Sequence, residues 1–194
     1  MHNRRFASLL LGGWMGCTMF MWLVAIQNFS AVTRVIAAPS PKAAEIIQVL
    51  GEERAKGLLR YQVAEQNRWY FETWEYMQLV FSIIVFLTLI FARPRVMAAI
   101  VISCLIMISL LTERFLLTPQ ITALGRTMDF MKEGVETAES ARFWIYHHTY
   151  SAVEMFKLCL GAILAVRFLM VSEDEIARRS KRSRKPTTAM SMGE

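Results

Sequence analysis

An all-α, polytopic membrane protein with four transmembrane helices is the fold class this sequence predicts. Three observations carry it: long uncharged apolar runs, a hydrophobic composition, and a basic excess confined to alternate connections. The 194 residues are 55% hydrophobic with a mean hydropathy of +0.34, more apolar than soluble domains of this length. Residues 7–26 form 20 consecutive uncharged positions, close to the length that crosses a hydrocarbon core of about 30 Å. Residues 77–92 and 96–112 give two more uncharged runs, of 16 and 17 residues. Trp69, Tyr70, Trp74 and Tyr76 can extend the first of these at the interface. A fourth span is expected over 147–171, where Glu154, Lys157 and Arg167 interrupt an otherwise apolar stretch.

The formal net charge of +6 is unevenly placed. Arg4, Arg5, Arg93, Arg95 and the tail RRSKRSRK (178–185) fall on one side of a four-span arrangement. With the rest of the tail, that side holds 10 basic and 4 acidic residues. The longer connections, 28–76 and 113–142, hold 10 basic and 11 acidic residues on the other side. The positive-inside rule makes the basic side cytoplasmic, so both termini are expected inside, with a bacterial inner (plasma) membrane as the location. The basic tail can also rest on anionic lipid. It lacks the aromatic interleaving and folded module of a nucleic-acid binder, so no nucleic-acid partner is expected.

The first span contains Gly12-Gly13-Trp14-Met15-Gly16, a spacing that lets helix backbones approach closely. Gly12 and Gly16 are expected to pack within the chain rather than against a second copy. The apolar run continues past Cys17 and exceeds a secretory signal core, so the segment is expected to stay on as a span. In the outer connection 28–76, Ser40-Pro41 marks a helix start, Ile46, Ile47 and Leu50 share a face, and Gly51 ends it. No Pro or Gly separates Leu58 from Phe91, so a second helix should run unbroken into the second span. Its apolar stripe is expected to lie on the membrane surface or on its neighbours. Arg93-Pro94-Arg95 reads as a tight turn between antiparallel helices. In 113–142, Pro119 precedes another amphipathic stretch with Ile121, Leu124, Met128 and Met131. Residues 1–171 are thus expected to form the four-helix domain, and 172–194 a basic, disordered cytoplasmic tail. Cys17, Cys104 and Cys159 all fall in spans, in odd number and without CxxC spacing, so neither disulfides nor a thiolate metal site is expected.

The fourth span raises the functional question, because ionisable groups at membrane depth are costly. At about 100° per residue, His147, Ser151, Glu154, Leu158, Gly161 and Ala165 share one face, which should point into the bundle. Tyr150 and Lys157 lie to one side of that face and His148 to the other. Lys157, three residues after Glu154, can pair with it. At the outer membrane edge the spans bring Glu72, Glu75, Glu113, His147 and His148 to similar heights, with Gln78, Ser82 and Ser151 slightly deeper. The candidate site is therefore Glu75, Gln78, Glu113, His147, Ser151, Glu154 and Lys157, with Gly12, Gly16 and Gly161 as packing positions. Three readings compete, ranked in this order: a hydrogen-bonded network that fixes helix register, an ion, proton or small-substrate site, and a metal site at His147, His148 and Glu75. Adjacent histidines diverge by about 100° and cannot clamp one haem from both faces. No cofactor is expected. No nucleophile elbow, phosphate loop or HExxH helix occurs, so the usual signatures of an enzyme are missing.

WEYMQL (74–79), ARPRVMAA (92–99) and FWIYHHTYS (143–151) occur in an order that resembles the TMEM205-like family of four-span membrane proteins (DUF4149). The likeness covers about half of the chain and implies a four-span fold. It implicates Trp74, Glu75, Gln78, Phe143, Tyr146, His147 and Ser151 as motif positions. His148, Glu154 and Lys157 lie outside the family pattern, and the 28–76 connection is longer than that pattern leads one to expect. The expected function is a non-enzymatic integral membrane protein supporting transport, efflux or assembly of a membrane complex. The alternative is a metal- or cofactor-binding subunit of a redox or hydrolytic membrane enzyme. Expected partners are the lipid bilayer and further membrane subunits or a second copy of the chain.

Overall fold

The computed structural model describes residues 2–91, 97–131 and 136–183, with side chains described for 6–91, 97–131 and 136–168. The Arg93–Arg95 turn and the tail from 184 onward, with its expected disorder, lie outside the described residues. Among the described residues six α-helices follow one another: α1 (His2–Ala37), α2 (Pro41–Leu50), α3 (Glu52–Ile90), α4 (Met97–Thr112), α5 (Thr118–Met128) and α6 (Ala138–Ser183). A π-helical turn, Glu113–Leu117, joins α4 to α5 without a break. No strand occurs among the described residues. α6 continues through Ser172 to Ser183, so the first half of the expected tail has a helical backbone.

Among the described residues three stretches are long and apolar enough to cross a membrane: Phe6–Ala37, Glu52–Ile90 and Met97–Met128. That is one fewer than the expected four. The expected fourth span, in α6, carries Glu154, Lys157 and Arg167 within its apolar stretch. The helices run beyond the expected spans, α3 as the unbroken run from Leu58 implies. The 36 residues of α1 and 39 of α3 measure about 54 and 58 Å at 1.5 Å per residue. Both exceed a hydrocarbon core of about 30 Å by a wide margin.

The predicted local signals hold where turn chemistry dictates them. Pro41 opens α2, where its missing N–H costs nothing. Gly51 closes it at φ 82° and donates to the Ile47 carbonyl at 2.8 Å. A side chain would be strained at that φ. α3 then runs unbroken through Leu58 to Ile90. α6 is opened by a reciprocal cap in which the Thr137 and Ser140 backbone N–H groups donate to each other's hydroxyls, at 2.9 and 3.1 Å.

α1 packs along α3, α3 along α4, and α6 along α1, α4 and α5. Within the apolar half, Ala7, Leu11 and Trp14 of α1 meet Val85 and Leu89 of α3, Ala99, Ile106 and Leu110 of α4, and Leu160, Leu164 and Phe168 of α6. Large apolar side chains such as Leu23, Leu87, Val101 and Ile163 point outward, as a lipid-facing surface requires. The other half is held by polar contacts. Arg68 of α3 donates to both oxygens of Asp129, at 2.8 and 3.0 Å. Tyr61 stacks on Phe130 at 5.0 Å, and Asn28 of α1 donates to Asn67 of α3 at 2.8 Å. Phe130 takes a positive φ of 68° at the end of α5.

The glycines correct one expectation. Gly12 and Gly16 face outward, and a Cβ at either would meet nothing within 4 Å. They do not pack within the chain. Gly161 does, since a Cβ there would lie 2.6 Å from Trp14 Cζ3. The orientation of α6 also differs from the expected one. Its buried line is Tyr150, Glu154, Lys157, Gly161, Leu164 and Phe168, turned by about 60° from the face through His147 and Ser151 at 100° per residue.

The packing separates these glycines by experiment. Gly161→Ala should lower the melting temperature in detergent, as overpacking costs about 1–3 kcal/mol. Gly12→Ala should leave it unchanged. Equal effects from the two substitutions would contradict the α1–α6 contact.

Candidate functional site

Above the apolar layer, the interior of the bundle is charged. Glu75, Gln78, Glu113 and Lys157 are fully enclosed, and Glu154 is 2% exposed. Each comes from a different position on the fold: Glu75 and Gln78 from successive turns of α3, Glu113 from the π-turn, and Glu154 and Lys157 from successive turns of α6. Lysine and glutamate are almost never fully buried unless paired.

Lys157 organises the group. Its ammonium carries three donors, and three acceptors receive them: Glu154 Oε1 at 2.9 Å, Gln78 Oε1 at 3.2 Å, and Glu113 Oε2. Gln78 Oε1 also accepts from Trp14 Nε1 at 2.9 Å, and Gln78 Nε2 donates to Glu154 Oε1 at 3.2 Å. Trp14 and Lys157 can only donate and a carboxylate accepts, so one orientation of the Gln78 amide satisfies all three contacts. Thr118 Oγ1 donates to Glu75 Oε1. The Tyr150 hydroxyl lies 3.5 Å from Glu154 Oε1. Arg114 approaches Glu75 Oε2 at 3.9 Å while its guanidinium covers the Tyr76 ring at 4.6 Å and donates to the Tyr76 hydroxyl at 2.8 Å.

The π-turn explains why Glu113 and Thr118 both reach this interior. Five residues apart in a regular helix, they would face directions about 140° apart. The Thr118 N–H bonds instead to the Glu113 carbonyl, an i→i+5 closure of the kind found at functional sites. Both side chains are buried.

The network is incompletely satisfied. Glu75 Oε2, Glu113 Oε1 and Glu154 Oε2 are buried without a hydrogen-bond partner, as is Ser82 Oγ. Beside Gln78 and Trp14 lies a cavity with a volume of about 20 Å³ open to a water-sized sphere, lined also by Ser82 and Ser103. That is room for one water.

Of the expected site residues, Glu75, Gln78, Glu113, Glu154 and Lys157 are brought together. His147 and Ser151 are not. His147 is exposed, stacks on Phe143 at 5.6 Å and meets Trp144 and His148 edge-on. Ser151 donates to the carbonyl of His147 at 3.0 Å. His148 is exposed and stacks on Trp144. The expected outer-edge grouping of both histidines with Glu75 therefore does not form. Among the described residues no three His, Cys, Asp or Glu side chains are placed to hold a metal ion. The three cysteines are free. Trp14, Arg114, Thr118 and Tyr150 join the site unforeseen. Tyr150 alone of these was marked in the sequence, beside Lys157 to one side of the helical face.

A buried ion pair that loses one partner costs about 3–5 kcal/mol, because the other charge is left uncompensated. Lys157→Met should therefore destabilise the protein strongly in detergent. Adding Glu113→Gln should recover part of the loss, giving a coupling energy of about 0.5–3 kcal/mol in the double-mutant cycle. Additive losses would show that the two side chains do not share a site. His147→Ala and Glu75→Ala share no partner and should add to within about 0.5 kcal/mol; coupling between them would place His147 in the network.

Comparison with protein-family models, with curated proteins and with solved structures finds no match to this chain.

Proposed function

We propose that this chain is a non-enzymatic integral membrane protein that supports transport of a small ion or solute, with the Lys157-centred network as its working site. The observation that carries the reading is the complete burial of Lys157, Glu75 and Glu113 with Gln78 between helices. Ionisable groups enclosed among apolar helices mark ion and substrate pathways.

In this reading α6 is the fourth crossing. Its apolar part packs on α1 and α4, and Lys157 is ion-paired with Glu113 and Glu154, which offsets part of the penalty for carrying it into the membrane. Both termini are then cytoplasmic, as the distribution of Arg and Lys requires. Membership of the TMEM205-like family belongs to the same proposal and rests on WEYMQL and FWIYHHTYS.

The test is flux through vesicles. Proteoliposomes holding the wild-type chain, loaded with a pH-sensitive or sodium-sensitive dye, should dissipate an imposed proton or sodium gradient faster than empty vesicles. Lys157→Met, incorporated to the same density, should return the rate to that of empty vesicles. Identical rates for wild-type and empty vesicles under both gradients would overturn the transport reading and favour assembly of a membrane complex.

A further inference from the structure

The charges of the buried network do not balance. Glu75, Glu113 and Glu154 bring three carboxyl groups; Lys157 and Arg114 bring two cations, Arg114 only 3.9 Å from Glu75. With every group ionised the interior carries one uncompensated negative charge. Water solvates such a charge readily; a helix interior surrounded by lipid does not.

The geometry locates the imbalance. Glu75 has its own partners, Thr118 and Arg114. Glu113 and Glu154 share a single ammonium, that of Lys157. Two carboxylates serving one cation repel each other, and such a pair is relieved when one of them takes a proton. Each also presents a buried oxygen without a hydrogen-bond partner, Glu113 Oε1 and Glu154 Oε2. An independent feature reaches the same place. Ser82 Oγ, buried and without a partner in the protein, lines the cavity that Gln78 and Trp14 bound on the network side. The cavity has room for one water.

We propose that the network binds one exchangeable proton, carried by the Glu113–Glu154 pair about Lys157. Binding forms an O–H bond on a carboxylate oxygen of that pair and leaves the interior neutral; release returns the proton to solvent water. The groups facing the pair are Glu75 and Gln78 of α3, Arg114 and Thr118 beside the π-turn, Tyr150 and Lys157 of α6, and Trp14 of α1. Arg114, the other cation among them, pairs with Glu75 and not with Glu113 or Glu154. This inference deepens the transport reading by naming the ion, yet it does not depend on flux.

The test is infrared spectroscopy of the full-length protein in lipid nanodiscs, in sodium-free buffer and again in sodium. The expected result is a carboxylic-acid C=O band at neutral pH in both buffers, shifting in D2O and lost as the pH is raised. Glu113→Gln and Glu154→Gln should each abolish it, because the remaining carboxylate then pairs with Lys157 alone. Glu139→Gln, at the exposed start of α6, should keep it. The behaviour of the wild-type band on deuteration and pH carries the test if either network variant fails to fold. A band seen only without sodium would identify a sodium ion as the occupant and overturn the proton. Absence of the band in both buffers at neutral pH would overturn the inference as well. The band without vesicle flux would support proton binding while removing the transport reading.

Discussion

The ammonium group of Lys157 has three donors and no water to spend them on, and the bundle is arranged around that constraint. One acceptor must come from α3, one from the π-turn and one from the preceding turn of α6. This fixes how α6 is rotated, since Lys157 and not His147 has to face the centre. Gly161 then falls one turn further along the same face, where Trp14 of α1 lies against it. Trp14 in turn reaches Gln78, which closes a circuit from α1 through α3 to α6. Packing and polar contacts therefore specify the same register, the consistency expected of a sequence with one native arrangement.

A buried group of this kind is poor evidence for stability as such. Replacing a buried ion pair by apolar residues of similar volume is often neutral or stabilising. In lipid, moreover, apolar residues on the helix surface do not drive helices together, because the surroundings are equally apolar. Directional contacts that only one helix arrangement satisfies can choose among otherwise similar packings. Glu75, Glu113 and Glu154 each keep one buried oxygen without a partner in the protein. A half-satisfied buried network costs more than an apolar core.

The extended lengths of α1 and α3 build a second region beyond the apolar layer. There the contacts change character: the fork of Arg68 on Asp129, the Asn28–Asn67 pair and the Tyr61–Phe130 stack replace leucine packing. Continuous helices make the two regions one body. The Arg68 fork holds the end of α5 against α3, and the start of α5 is where Thr118 meets Glu75.

Sequence alone determined the helical class, the apolar stretches, the start of α2 at Pro41, its end at Gly51 and the unbroken run of α3. All of these follow from local rules: side-chain transfer energies, proline's missing N–H, glycine's freedom at positive φ. It also singled out five of the buried polar residues, because ionisable groups in apolar runs are rare enough to stand out. What it misassigned was partnership. His147 and Ser151 share a helical face with Glu154 by periodicity, yet they lie above the packed interior. Gly12 and Gly16 have the spacing of a contact but face away from it. Thr118 joins Glu75 only through a π-turn that shifts the helical phase, which no 3.6-residue period reveals. Helix azimuth and phase are set by contacts between segments far apart in the chain, here above all by where the three N–H groups of Lys157 find acceptors, and only the tertiary structure decides them.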